Sequence, residues 1–177
     1  MPLPDLLRVT LVVLSCVAGL IDVRTRRIPN WLCAAGLVAG FAFQFHLHGA
    51  RGLLTAVEGM GLALVIYIPL WLLRGMGAGD VKLMAALGAI AGPVHWFVLF
   101  LVASILGAIA AGVLALRHSR LSSALLNTAS LVKELVSFRA PWKALPQTDF
   151  RHADALRIPH GAMIGGAALI LAAVGRL

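Results

Sequence analysis

Of the seven acidic residues in this 177-residue chain, two stand where a carboxylate is costly. Asp22 closes an apolar stretch and is followed by "VRTRRIPN", while Asp80 sits in "GMGAGDVKLMAALGAIAG", behind Gly75, Gly77 and Gly79. Acids inside a membrane cost roughly 2.5 to 3.5 kcal/mol on insertion scales, so a functional reading is the default for them. Two carboxylates within a few ångströms of each other cannot both ionise easily, and one keeps a proton while its partner stays charged. Such a pair can deprotonate water and polarise a peptide carbonyl without a metal. Acidic pairs also serve ion carriers, so the chemistry alone leaves both classes open. Plainer readings exist for each acid: Asp22 as a helix end paired with Arg24 or Arg26, and Asp80 as the cap of the helix that follows it. The surrounding glycines favour the active reading of Asp80, because Gly77 and Gly79 leave the backbone free to lie close beside an extended peptide.

The elements that must position these acids follow from composition. With 60% hydrophobic residues, 12% charged residues and a mean hydropathy of +0.94, the chain reads as an integral membrane protein. At about 20 residues per crossing there is no room for a large soluble domain beside the spans. The expectation is an all-α, polytopic bundle of about six transmembrane helices forming a single membrane-embedded domain over 1–177. The candidate spans run from about Leu3 to Ile21, Trp31 to His48, Leu53 to Leu73, Val81 to Ala91, Val94 to Leu116 and Ile158 to Val174. The first has "VLSC" near Cys16, which approaches a lipoprotein cleavage box, but Asp5 opposes its one basic flank, Arg8, and it reads as a retained helix. Between the fifth and sixth spans, 117–157 breaks the composition. Leu121, Leu125, Val132 and Leu135 recur there at helical spacing, as in an amphipathic helix lying on the membrane.

Two crossings separate Asp22 from Asp80, so both fall at the same face. With the N-terminus outside, 12 of the 15 Lys and Arg residues lie on that face, with Arg24, Arg26 and Arg27 crowded into one short loop. The positive-inside rule makes it cytoplasmic. The formal charge of +8 is thus expected to orient loops and touch anionic lipid rather than nucleic acid, since no basic run is interleaved with aromatics. Cys16 and Cys33 are isolated small hydrophobes, and with no cysteine pair or histidine cluster near the acids no metal or other cofactor is expected. His46 and His48 form a lone HxH near the far face that reads as a helix-end cap, with metal binding the alternative. Lys82 could tune Asp80 or snorkel to the headgroups. His160 is expected on the dyad face, contacting substrate or making a structural hydrogen bond.

The segments "DVRTRRIPNWL" at Asp22 and "GMGAGDVKLMAALGAIAG" at Asp80 resemble the two signature regions of the type IV prepilin peptidases, members of the GxGD intramembrane aspartyl proteases. A third segment, "RIPHGAMIGG" around Ile158, is similar to a family stretch that more often has an aromatic residue where His160 stands. The resemblance implies that Asp22 and Asp80 are the catalytic dyad, supported by Gly77, Gly79, Lys82, Pro29, Asn30, Pro159 and Gly161. It implies an aspartic-type endopeptidase of the bacterial cytoplasmic membrane. Its substrates would be prepilins or pseudopilins with a short basic leader, a glycine before the cleaved bond and a hydrophobic helix after it. Larger members carry a cysteine-bearing cytoplasmic domain between the first two helices and often methylate the new N-terminus. Only Val23 to Asn30 separate Asp22 from Trp31 here, so the chain resembles the compact kind associated with tight-adherence (Flp) pili, and the resemblance leaves methyl transfer open. A reading from another class is a small proton-coupled transporter or channel subunit with Asp22 and Asp80 as relays. That reading calls for polar residues leading to the far face, where the third and fifth spans offer little beyond Glu58.

Overall fold

A computed structural model describes residues 3–72, 76–117 and 160–175, all helix and short turns with no strand among them. The helices are α1 (Asp5–Thr25), α2 (Asn30–Leu72), α3 (Ala78–Arg117) and α4 (His160–Ala173). Asp5 lies in the first turn of α1 and pairs with Arg8, an i,i+3 ion pair at the positive end of the helix dipole. At the other end Arg26 takes the left-handed conformation (φ 51°), and its N–H donates to the Asp22 carbonyl at 2.8 Å, closing the helix as a C-cap. Asp22 therefore lies one turn inside α1 rather than at its end, a correction of a few residues. Pro29 starts the next helix with its carbonyl, which accepts from the N–H of Leu32 at 3.1 Å and of Cys33 at 3.4 Å.

Neither long helix is straight. A straight helix the length of α2 would measure about 65 Å, twice the hydrocarbon thickness of a bilayer. At Gly49 (φ 59°, ψ −139°) it leaves helical geometry, and the chain folds back so closely that a Cβ on Gly52 would strike the Gln44 carbonyl. α3 does the same at Gly92 (φ 71°, ψ 172°), where Pro93 supplies no N–H to carry the ladder onward. Trp96 then reaches back to donate from its indole nitrogen to the Met84 carbonyl at 3.0 Å. In a straight helix those two residues would be about 18 Å apart along the axis. The break frees the Ile90 carbonyl, and buried Gln44 caps it from α2 at 2.9 Å. The Gln44 side-chain oxygen meets His48 Nδ1 at 3.2 Å, so His48 belongs to this helix-end network. Gly92 is thus a reversal point as well as a close neighbour of Gly59.

Among the described residues, four helices therefore contain six helical segments, close to where the hydropathy pattern put them. By length and composition three qualify to cross a membrane, Asp5–Thr25, Asn30–Leu72 and Ala78–Leu114, while the 14-residue α4 is apolar but shorter. The bundle is built from two pairs: α2 packs mainly on α3, and α1 mainly on α4. The first pair meets through small residues. Gly52, Ala56, Gly59 and Ala63 line one face of residues 50–72, and Gly59 and Gly88 touch backbone to backbone. The second pair is equally tight, with Gly19 against the carbonyl of Gly161 and Gly165 against that of Ser15. Nearly every residue of 81–92 is buried, which makes this stretch the central rod, while Val9, Val13, Val65, Val94 and Ile105 point outward as lipid-facing residues do. The amphipathic stretch expected over 117–157 lies outside the described residues.

Candidate active site

Asp22 comes to the site from α1 and is 8% exposed, a carboxylate buried in the α1–α4 seam. Its Oδ2 accepts the Gly161 N–H at 2.9 Å. That N–H is one of the first-turn donors a helix cannot satisfy internally, and it carries the positive end of the α4 dipole, so it favours a negative partner. The contact depends on the residue being glycine: a Cβ at position 161 would lie 3.0 Å from Asp22 Cβ and 3.1 Å from Oδ2.

Asp80 is half-buried in the first turn of α3. Its backbone N–H donates to the Gly77 carbonyl at 3.1 Å, and its Oδ2 accepts the Gly77 N–H at 3.2 Å, so the turn and the carboxylate hold each other. Gly79 lies against Ile28 of the α1–α2 turn, where an added Cβ would sit 3.3 Å from Ile28 Cβ. Next to that contact Lys82 Nζ donates to Asn30 Oδ1 at 2.8 Å, joining the first turns of α2 and α3. Lys82 is tied to Asn30, a partner that neither sequence reading of it named.

The two carboxylates are electrostatic neighbours, and Asp80 also feels His160 and acts on Tyr67. Asp22, Asp80, Tyr67 and His160 thus form one cluster at the end of the bundle that carries Arg24, Arg26 and Arg27, all three exposed. Each acid has one oxygen fixed by a glycine amide, and among the described residues neither Oδ1 accepts a hydrogen bond. An open oxygen on each of two neighbouring carboxylates is what water activation and carbonyl polarisation require.

Of the residues expected around the acids, Gly77, Gly79 and Gly161 touch the two aspartates or the Asp80 turn, Asn30 and Lys82 clamp beside that turn, and Pro29 caps α2. Pro159 lies outside the described residues. Tyr67 was not anticipated. It is 1% exposed, and its ring is packed edge-on against Trp96 (6.1 Å between centroids) and Phe100 (5.9 Å). Its hydroxyl is 3.5 Å from His160 Nε2. The available signal was that this is the single tyrosine of the chain, set in an apolar span where its hydroxyl needs a partner.

A bundle of apolar helices thus brings together two aspartates, each oriented by a backbone amide. The sequence matches the model of the type IV leader peptidase family over residues 9–112, more than half the chain, and the protein belongs to that family. The match takes in most of α1, all of α2 and most of α3, and with them both aspartates; α4 lies beyond it. No curated protein and no solved structure matched the chain. Family membership makes the protein a peptidase of the leader-peptidase kind, and its apolar helices place it in a membrane.

Proposed function

We infer that the protein is an aspartic endopeptidase that removes the N-terminal leader from type IV, Flp-like prepilins at the cytoplasmic face of the bacterial inner membrane, with Asp22 and Asp80 as the catalytic pair. The observation that carries this reading is the pair itself: two aspartates from different helices, at one end of the bundle, each with one oxygen held by a glycine amide and the other accepting no hydrogen bond among the described residues. In the reaction the ionised member takes a proton from water while the protonated member donates a hydrogen bond to the scissile carbonyl. The hydroxide equivalent adds to the carbonyl carbon, and the resulting diol collapses as a proton passes to the leaving nitrogen and the C–N bond breaks. The exposed Gly77 turn offers backbone beside Asp80 against which an extended leader can lie. The cluster of Arg24, Arg26 and Arg27 at the same end supports the cytoplasmic assignment. Six crossings, one per helical segment, complete the reading.

The test is co-expression with a cognate prepilin and a gel that resolves leader loss. Asp22→Asn keeps an oxygen for the Gly161 amide, and Asp80→Asn keeps one for Gly77, so both variants should insert and accumulate. Each should lose cleavage by at least about 100-fold, the lower bound for removing a positioned acid–base group. The double variant should be no worse than either single one, because the two act as a unit. Near-parental cleavage by either single variant at matched expression would remove the dyad assignment.

A further inference from the structure

No single helix–helix contact between the two pairs is as extensive as the contact within either pair, and among the described residues the backbones of α2 and α4 do not approach each other closely. Tyr67 of α2 and His160 of α4 nevertheless reach one another across that gap, hydroxyl to Nε2 at 3.5 Å with ring centroids 6.3 Å apart. The tyrosine is immobilised by Trp96 and Phe100, themselves stacked at 5.6 Å, so it is the rigid end of the bridge. His160 is the other end, and its position in the chain matters. It is the first residue of α4 and immediately precedes Gly161, whose N–H is held by Asp22.

We propose that Tyr67 and His160 form a side-chain bridge that registers the α1–α4 pair against the α2–α3 pair, so that the Gly161 amide stays on Asp22 while Asp22 faces Asp80. The two residues are positioning residues that act through Gly161, and the bridge rests on the peptidase reading only for its catalytic consequence. Its length, at the upper limit for a hydrogen bond, fits a contact that shortens when substrate draws the pairs together, as site hydrogen bonds commonly do between the free and the bound enzyme. Either imidazole tautomer serves, because the tyrosine hydroxyl can donate to Nε2 or accept from it. An aromatic residue without nitrogen at position 160 would keep the packing and lose the bridge.

Tyr67→Phe deletes one oxygen and keeps the ring on Trp96 and Phe100, His160→Phe deletes the partner, and His160→Gln keeps a polar group at the same place. In detergent-solubilised full-length protein, hydrogen exchange at the Gly161 amide should quicken at least fivefold in Tyr67→Phe and in His160→Phe. Amides at the distant Gly92 reversal should be unchanged. Leader cleavage should show kcat lowered about tenfold with KM within twofold in each variant. The double Tyr67→Phe/His160→Phe should match the worse single, and His160→Gln should recover part of the loss. Unchanged exchange at Gly161 in both single variants would overturn the bridge, whatever happens to cleavage. Effects on kcat that multiply in the double variant would overturn it as well. If the parent fails to cleave any prepilin, the peptidase reading falls, and the exchange measurement still decides the bridge.

Discussion

Gly161→Ala tests how tightly the Asp22 carboxylate is set. The added Cβ would sit 3.0 Å from Asp22 Cβ and 3.3 Å from Cγ, roughly half an ångström inside the distance at which carbon atoms attract. α4 cannot relieve this by sliding along α1, because Gly19 already packs against the Gly161 carbonyl and Gly165 against that of Ser15. It must back away, and half an ångström of retreat stretches the 2.9 Å bond from the Gly161 N–H to about 3.4 Å, where it is much weaker. Overpacking costs about 1 to 3 kcal/mol. Loss of a hydrogen bond to a charged acceptor adds about 1.5 to 3 kcal/mol at most, and alanine returns up to about 1 kcal/mol in helix propensity. Because some retreat relieves the clash, the two costs do not add in full, and a net loss of about 1 to 3 kcal/mol is expected. A misplacement of about 1 Å can cost on the order of 100-fold in rate, so a displacement near half that should slow cleavage about tenfold. Purified variant and parent would be compared by thermal melting and by single-turnover release of the leader from a prepilin. Gly166→Ala is the control, since its Cβ would meet only Leu106 Cδ1 at an ordinary 3.7 Å, and it should cleave normally and melt no lower than the parent. If Gly161→Ala cleaved within twofold of the parent at equal folded protein, the close fit of α4 on Asp22 would have no bearing on catalysis.

Gly92→Ala should destabilise the bundle by about 1 to 3 kcal/mol, since it forces a side chain into a backbone region nearly confined to glycine and sets Cβ 2.6 Å from Thr55 Cγ2. Gly61→Ala, with open space around it, should melt at or above the parent, and equal melting of the two variants would refute the argument. Lys82→Met and Asn30→Ala should each cost about 1 kcal/mol or less, and the double variant should melt like either single if the 2.8 Å bond is their shared contribution. With Cys16 and Cys33 replaced by alanine, cysteines introduced at Thr25 and at Gly49 should be labelled by impermeant reagents from opposite sides of the membrane. Labelling of both from one side would overturn the topology.

Hydropathy made the helical segments legible because each run of apolar residues ends at a residue that cannot continue a helix comfortably: the "RRIPN" turn, Gly49, and Gly92 with Pro93. The nearness of Asp22 and Asp80 was legible too, because two apolar segments, out and back, separate them in the sequence. The pairing of α1 with α4 was not. Gly19, Gly161 and Gly165 look like any other small residues in an apolar span, and nothing in their spacing says which helix they face. Tyr67 was hidden for a related reason, since a tyrosine in a run of Ile, Leu and Val reads as one more hydrophobe until its hydroxyl is seen to have a partner on another helix. The Lys82 contact escaped because a flexible four-carbon stem reaches partners that periodicity cannot identify.

The hydrogen bond that orients Asp22 joins residues 139 positions apart, the first helix to the last described one. A chain made from its N-terminus at about 5 to 20 residues per second takes on the order of ten seconds to produce Gly161 after Asp22 has left the ribosome. For that interval the first helix carries its carboxylate with no amide to hold it and no α4 dipole to favour its charge. A nascent chain that has already built both aspartates still has an unfinished site. Emergence of Gly161, and not synthesis of the segment around Asp80, therefore sets the moment at which the Asp22 carboxylate can gain its amide partner.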